Sequence, residues 1–118
     1  MKRDIEERTF NFGVNIVELS YELPESKAGK VLGGQILRSG TSIGANVEEA
    51  RSAYTRSGFA YKMNIALSEA RESHYWLRLM RASSLVSASR LDHLIDEADQ
   101  LRKILGSIVS KSRGERGA

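Results

Sequence analysis

The sequence predicts an all-α protein, folded as an antiparallel up-down-up-down four-helix bundle. Three observations support this prediction. Apolar residues recur at spacings of three and four along four segments, which places them on one side of an α-helix. Strand signals are poor, since no Asn-Gly or Asp-Gly pair joins two β-branched runs. The breaks between the four segments are short, so neighbouring helices are expected to run antiparallel.

The first two helices are separated by Pro24, the single proline of the chain. The first is predicted over about residues 3–22, because proline disfavours a helical conformation in the residue before it. Its apolar stripe consists of Ile5, Thr9, Phe12, Ile16, Leu19 and Leu23. The second helix is predicted over about residues 27–54, with Ser26 as its N-cap. Its stripe consists of Leu32, Ile36, Ser39, Ile43, Asn46, Ala50 and Ala53.

The last two helices each follow a serine-rich break. The third is predicted over about residues 57–83, with Ser57 as its cap. Its stripe consists of Phe59, Met63, Ala66, Ala70, Ser73, Leu77 and Met80. The fourth is predicted over about residues 90–111, where Ser89 and Asp92 have the S-x-x-D form of a capping box. Its stripe consists of Leu91, Leu94, Ala98, Leu101, Leu105 and Ile108.

Length and composition bound the class of protein. The chain has 118 residues, so residues 1–111 are expected to form one domain with a core that needs no metal or disulfide. Residues 112–118 carry no apolar anchor and are predicted to be a flexible basic tail. Cysteine is absent, which excludes disulfides, thiolate zinc sites and cysteine nucleophiles. No apolar run is long enough to span a membrane and the N-terminus lacks a signal-peptide core, so a cytoplasmic protein without a membrane partner is expected.

The stretch RSGTSIGANVEEA, residues 38–50, is unusual for a helix because small and hydroxyl residues occupy it. Glycine inside a helix costs roughly 1 kcal/mol relative to alanine, so close approach of another helix is the expected compensation. Asn46 lies at a predicted core-facing position and needs a hydrogen-bond partner there. We expect it to bond across to Glu69 or Glu72 of the third helix and to fix the register of the two helices. This predicted polar layer consists of Ser42, Asn46, Glu49, Ser68, Glu69 and Glu72. A ligand-binding or catalytic site and a subunit contact are the alternatives for the same residues.

Enzyme chemistry finds little support in the residue pattern. A di-iron bundle needs Glu-x-x-His motifs, but Arg71 and Arg90 stand three residues before His74 and His93. No G-x-x-x-x-G-K-[ST] phosphate loop is present. Paired glutamates acting as general acid and base need a cleft, and a core of Ile, Leu, Met and Ala leaves little room for one. The sequence therefore predicts no enzyme, no catalytic or metal-binding residue and no cofactor.

Charge favours a different class of partner. The formal net charge is +3, and the third helix carries Arg71, Tyr75 and Arg78 at i, i+4 and i+7. Arginine pairs with phosphate and tyrosine stacks on an unpaired base. The predicted nucleic-acid surface comprises Arg38, Arg51, Arg71, Tyr75, Arg78, Arg81, Arg102 and Lys103. A solvated outer face is the alternative. Tyr75 and Trp76 fit an oligomer interface as well as a core position.

The same motifs carry a resemblance. RSGTSIGANVEEA and, about ten residues later, FAYKMNIALSEARESHYWLRLM resemble the bacterial four-helix-bundle family of 23S ribosomal RNA intervening-sequence proteins, over about residues 5–108. The resemblance implies a small bundle that assembles into a homopentameric ring, in a family without an established activity. A structurally similar relative is the accessory protein of diversity-generating retroelements, a basic pentamer that binds a reverse transcriptase and nucleic acid.

Two functional hypotheses are compatible with these features. The first is a non-enzymatic, homo-oligomeric accessory module, pentameric by the resemblance, that binds RNA or DNA. The second is a protein-interaction scaffold or adaptor, for a partner such as a polymerase, that does not bind nucleic acid directly.

Overall fold

The helices of the chain run consecutively and each packs against the next. The computed structural model describes the backbone of residues 2–114 and the side chains of residues 5–114. Helix α1 spans Lys2–Ser20, α2 Lys27–Arg51, α3 Arg56–Ala82 and α4 Ala88–Ser112. Contacts join α1 to α2, α2 to α3 and α3 to α4, and α1 meets α4 more lightly. This confirms the predicted four-helix bundle. Helix α4 includes Ser112, the first residue of the predicted tail. Residues 115–118 of that tail lie outside the described residues.

The predicted stripes form most of the core, with displacements on α2, α3 and α4. The buried side chains of α1 are those that the spacing predicts. On α3, Ala60 is buried where Phe59 was predicted, and Leu67 joins the core. On α4, Val109 is buried where Ile108 was predicted.

On α2, Val47 is fully buried whereas Asn46 is only half-buried. The stripe moves by one residue because buried positions at 36, 40, 43, 47 and 50 follow the 3.6-residue turn more closely. The apolar side chain thus takes the core position that the sequence assigned to the amide.

The small residues of α2 face two different helices. A Cβ atom on Gly40 would lie 2.8 Å from Ile16 Cγ1, and one on Gly44 would lie 3.2 Å from the Thr9 carbonyl oxygen, both on α1. The two glycines therefore let α1 approach α2 closely. Ser39, on the neighbouring side of α2, meets Ser73 of α3. This packing compensates the cost of glycine within a helix.

Ser39 and Ser73 form the polar contact inside the α2–α3 interface. The Ser73 hydroxyl donates to Ser39 Oγ at 2.9 Å, and both residues are fully buried. Among the described residues no buried side-chain nitrogen or oxygen lacks a hydrogen-bond partner. A buried pair of this kind stabilises only while both hydroxyls are present, because a lone one is left unsatisfied.

The two single replacements of this pair should together lower the free energy of unfolding by more than the double replacement does. We expect Ser39→Ala and Ser73→Ala each to lower the free energy of unfolding by about 1 kcal/mol. The double variant should lose less than the sum, with a coupling of about 0.5–1 kcal/mol. Urea unfolding of the four proteins measures the coupling. Strict additivity would show that the hydroxyls do not depend on each other.

The caps explain where the helices begin and end. Ser26 accepts from the Gly29 N–H at 3.0 Å and caps α2 as predicted. Thr55, not Ser57, caps α3, because its extended backbone lets Oγ1 accept from the Gly58 N–H at 2.9 Å. Ser87 rather than Ser89 precedes α4, and its side chain makes no capping bond. The predicted capping box is therefore wrong, since Ser89 already lies within the first turn.

Helix α3 ends in a Schellman motif built on a serine. Ser84 adopts a left-handed conformation with φ of 58°. The Leu85 N–H donates to the Met80 carbonyl at 3.0 Å and the Ser84 N–H to the Arg81 carbonyl at 3.1 Å. These bonds satisfy carbonyls that the helix end leaves free. Leu85 then packs against the core and turns the chain into α4.

Candidate nucleic-acid interface

The outer face of α3 is an exposed stripe that neither α2 nor α4 covers. We call it the α3 stripe. Its members are exposed and recur at spacings of three and four, as the free side of a packed helix requires. The α3 stripe consists of Tyr61, Asn64, Ser68, Arg71, Tyr75 and Arg78. It contains two aromatic rings and two guanidinium groups but no carboxylate.

Arg71, Tyr75 and Arg78 form the charged half of the stripe. The Arg78 guanidinium carbon lies 5.9 Å from the centre of the Tyr75 ring, within the range of a cation–π contact. The Tyr75 ring meets Trp76 edge-on, with centroids 5.1 Å apart. Tyr75 remains 49% exposed, so one face of an aromatic ring is held in place and open to solvent.

On the α2 side of the stripe, the acidic groups are already neutralised. Arg38 reaches from α2 to Glu69 at 3.1 Å and also pairs with Glu72. The Trp76 indole N–H donates to the Glu72 carboxylate at 3.0 Å. This hydrogen bond, together with the Arg38 guanidinium, holds the pKa of the Glu72 carboxyl below its ordinary value. Arg38 thus ties α2 to α3 instead of offering a free charge.

On the α4 side, Asp99 gathers two cations. It pairs with Arg102 at 2.7 Å and with Lys103 at 3.2 Å. The hydrogen bond from Lys103 and the neighbouring Arg102 charge lower the pKa of Asp99. His74 lies 4.0 Å from Asp99, but burial, reinforced by the positive charge of Arg78, lowers the pKa of its imidazole. The imidazole is therefore neutral at pH 7 and adds no charge to this surface.

The carboxylates beside the α3 stripe are bound to cations outside it, so they do not compensate the charges of the stripe's arginines. Glu69 and Glu72 bind Arg38, and Asp99 binds Arg102 and Lys103. Among the side chains of residues 5–114, no carboxylate pairs with Arg71 or Arg78. Positive charge on this face is consequently concentrated beside Tyr75.

The remaining predicted basic residues lie elsewhere. Arg51, the last residue of α2, pairs with Glu6 of α1. Arg81 bonds to Asp92 at the start of α4, with 2.5 Å between Nε and Oδ1. The structure therefore brings together Arg71, Tyr75 and Arg78, whereas the other predicted cations serve ion pairs between or within helices.

The predicted polar layer needs correction. Asn46 does not reach Glu69 or Glu72, because its amide donates to the Ser42 carbonyl of its own helix at 2.9 Å. Ser42 likewise bonds to the Arg38 carbonyl, and Ser68 is exposed. Glu49 pairs with Lys62 of α3 at 3.4 Å. Asn46 sits at the edge of the core, where its own backbone is the nearest acceptor, and Ser39 with Ser73 forms the buried cross-helix contact instead.

Two comparisons with known proteins bear on this fold. The sequence model of the family described as 23S rRNA-intervening sequence protein matches residues 1–107. The chain belongs to this family. A crystal structure of a protein of unknown function from the S23 ribosomal protein family of Bacteroides thetaiotaomicron VPI-5482 is 38% identical. The match covers 89% of this chain and 97% of that one, with a TM-score of 0.83. No curated protein matches the sequence.

Some stripe residues of this intervening-sequence protein are absent from the surface predicted from sequence. Tyr61, Asn64 and Ser68 continue the α3 stripe towards the start of the helix. Their spacing from Arg71 follows the same 3.6-residue period, so extending the periodicity backwards by three turns was the signal that would have found them. Tyr61 is 64% exposed and doubles the number of rings available on the stripe.

Metal clusters and membrane-spanning helices are two further features for which the described part of this intervening-sequence protein can be searched. Its described residues bring together no group of three His, Cys, Asp or Glu side chains that would hold a metal ion. None of its helices, within the described range, has the length and apolar character that crossing a membrane requires. Trp76 is half-buried, packs on the core and bonds to Glu72, whereas the subunit-interface role of Tyr75 and Trp76 stays a prediction.

Acid should loosen the α2–α3 contact through Glu72. Because its folded-state pKa is depressed, Glu72 contributes stability above its ordinary pKa of 4.5 and loses it as pH falls through the lower folded value. The free energy of unfolding should therefore differ between pH 7 and a pH below the folded-state pKa of Glu72, and Glu72→Gln should reduce this difference. We expect a reduction of about 1 kcal/mol or less, because the partly exposed carboxylate is screened by solvent.

The single tryptophan measures the same event directly. Trp76 emission should titrate with a midpoint below pH 4.5 in the unmodified protein and stay flat in Glu72→Gln. Glu48→Gln, which alters an exposed glutamate on α2, is the matched control and should keep the titration. If Trp76 emission titrated in Glu72→Gln as it does in the unmodified protein, Glu72 would not be the group that changes it.

Proposed function

We propose that this protein is a non-enzymatic, self-associating cytoplasmic module that binds single-stranded nucleic acid through the α3 stripe. One observation carries the proposal. Arg71 and Arg78 flank the exposed ring of Tyr75, and the carboxylates around them are bound to other cations. This arrangement offers charge for a phosphate backbone and a ring for a base on the same helical face.

The aromatic rings favour an unpaired strand over a duplex. Stacking on Tyr75 requires a base whose face is free, which a paired base within a helix does not present. Arg71 and Arg78 are two turns apart, roughly 10 Å along the helix axis, so both can contact one extended strand. Tyr61 adds a second ring farther along the same face. RNA is the first ligand to test, because the family name refers to 23S rRNA.

Self-association would repeat the modest positive charge of each chain within one assembly. The chain carries a net charge of +3, and in the ring that the family resemblance implies each cation is repeated around one assembly. An exposed apolar face on α1 and α2 supports contact between copies. It includes Phe10, 62% exposed, and Val14 and Leu37, and Tyr21, 80% exposed, follows directly after α1. Exposed apolar patches of this kind mark interaction sites.

The geometry of this α1–α2 face favours packing against another molecule. Phe10, Val14 and Val17 of α1 line a shallow groove with Thr41 and Ala45 of α2. Gly13 lies at the floor, where a Cβ atom would be 3.9 Å from the Gly40 carbonyl oxygen. The groove between the two helices is thus shallow and is flanked by large apolar side chains. The α3 stripe lies on another helix and remains free when this face is covered.

Light scattering behind size exclusion tests both parts of the proposal. Nuclease-treated protein is measured alone and with an unstructured single-stranded RNA at low and high salt. We expect a mass of several chains, each of 13.1 kDa, RNA uptake at low salt and its release at high salt. A monomer, or an assembly that ignores RNA at low salt, would refute the corresponding part.

A second candidate function is an adaptor for another protein, such as a polymerase. The α1–α2 face also favours this function, because its exposed rings are typical of protein contacts. One stoichiometric protein partner that survives nuclease treatment, bound by protein without measurable RNA affinity, would support the adaptor and not the nucleic-acid module.

A further inference from the structure

A half-open cavity lies at the end of the bundle where α1 and α3 begin and α2 and α4 end. Its volume is about 790 Å³, within the range typical of small-molecule sites. The α3 stripe contributes no residue to this cavity, so a ligand could occupy it whether or not nucleic acid is bound.

The floor and walls of the cavity are apolar. Ile5, Ala50 and Met63 are buried at its floor, and half-buried Phe59 and Ile108 form walls. A hydrocarbon chain or ring removes this surface from water at no cost in polar desolvation.

The rim of the cavity carries positive charge. Arg51 and Lys111 lie at its mouth and are exposed. Arg51 shares its charge with Glu6. Lys111 pairs with no carboxylate among the described side chains. Among the described side chains, the mouth therefore holds one ammonium group without a carboxylate partner, above an apolar interior.

We infer that this end of the bundle binds a small amphipathic carboxylate, with its hydrocarbon part in the cavity and its carboxylate at Lys111. The apolar interior selects the hydrocarbon, and the ammonium group at the rim selects the charge. A flexible lysine at the rim meets the carboxylate without being buried, so little desolvation opposes the contact. Arg51 is already paired with Glu6, so Lys111 alone is left for a carboxylate among the described cations of the rim, which favours a monocarboxylate.

Isothermal titration calorimetry with decanoate and decanol, each below its micelle-forming concentration, tests the inference on the full chain. We expect saturable binding of decanoate at one molecule per chain. Lys111→Gln should weaken decanoate about two- to fivefold, the effect of an exposed ion pair, and leave decanol unchanged. Lys30→Gln, an exposed lysine at the opposite end of the bundle, should change neither.

Two variants that fill the cavity complete the test. Ala53→Phe places a ring in the cavity from the α2–α3 connection, and Ser107→Phe does so from α4. Ser107 is exposed, so this second variant keeps the test valid if Ala53→Phe fails to fold. Each folded variant should lose binding of both ligands at least tenfold. Absence of saturable decanoate binding to the unmodified protein would overturn the inference. Equal decanoate affinity in Lys111→Gln, or unchanged affinity in a folded cavity-filling variant, would overturn it too.

Discussion

Gly29→Ala should destabilise the protein by about 2–3 kcal/mol, the upper part of the range for overpacking. Alanine is ordinarily the better helix former, so the sign is decided by space. A Cβ atom on Gly29 would lie 2.1 Å from the Pro24 carbonyl oxygen and 3.0 Å from its carbonyl carbon. These are backbone atoms in the α1–α2 connection and cannot swing aside like the end of a side chain. Relief of the clash requires the turn to move away from the start of α2.

Gly34→Ala on the same helix is the matched control and should have the opposite effect. A Cβ atom on Gly34 meets nothing within 4 Å, and the position is exposed. We expect a gain of about 0.5–1 kcal/mol from helix propensity alone. Urea unfolding followed by circular dichroism measures both variants. Stabilisation by Gly29→Ala would show that the α1–α2 turn relaxes freely.

Reversing both charges of the α3 stripe should remove most of the affinity for single-stranded RNA. The combined variant Arg71→Glu with Arg78→Glu is expected to bind at least about tenfold more weakly at low salt, because each lost charge-assisted contact is worth roughly 1.5–3 kcal/mol. The milder pair Arg71→Gln with Arg78→Gln should make the dependence of log affinity on log salt shallower by about 1.4, since each lost phosphate contact contributes about 0.7. Fluorescence anisotropy with a labelled RNA measures both quantities.

The controls for this prediction separate position from net charge. Lys27→Glu with Lys30→Glu makes the same change in net charge at exposed positions on α2 and should weaken binding far less. Tyr75→Ala should cost about 1–3 kcal/mol of binding, the range for one stacked base, without changing the salt slope. If the α2 control lost as much affinity as the α3 variant, binding would depend on overall charge, and the α3 stripe would not be the site.

The fold follows from patterns that are local in sequence. Ile16, Leu77 and Leu101 are fully buried, as their helical spacing predicts. Their burial needs no knowledge of the partner helix, since one apolar face per helix and short connections leave few other packings. Caps are less predictable, because several serines and threonines near a boundary are equally suited by type. Thr55 precedes Ser57 as the cap of α3 only because the backbone turns at Thr55.

The site depends on contacts that join residues far apart in sequence. Arg38 and Arg71 are the same residue type on exposed helical positions, yet Arg38 is bound to Glu69 and Glu72, and Arg71 to no carboxylate among the described side chains. Nothing in the sequence near either residue distinguishes them. Carboxylates of the packed helices pair with most of the predicted basic residues. The α3 stripe therefore contains those arginines that the carboxylates do not reach.

The sequence by itself determined that four amphipathic helices form an antiparallel bundle of the intervening-sequence family, because helical periodicity, breaks and motifs are properties of contiguous residues. Only the tertiary structure decided that Ser39 rather than Asn46 supplies the buried polar contact. It alone also decided which arginines keep their charge and where the bundle stays open. Each of these outcomes is set by which side chains of different helices come within a few ångströms, and this distance depends on the packing of all four helices together.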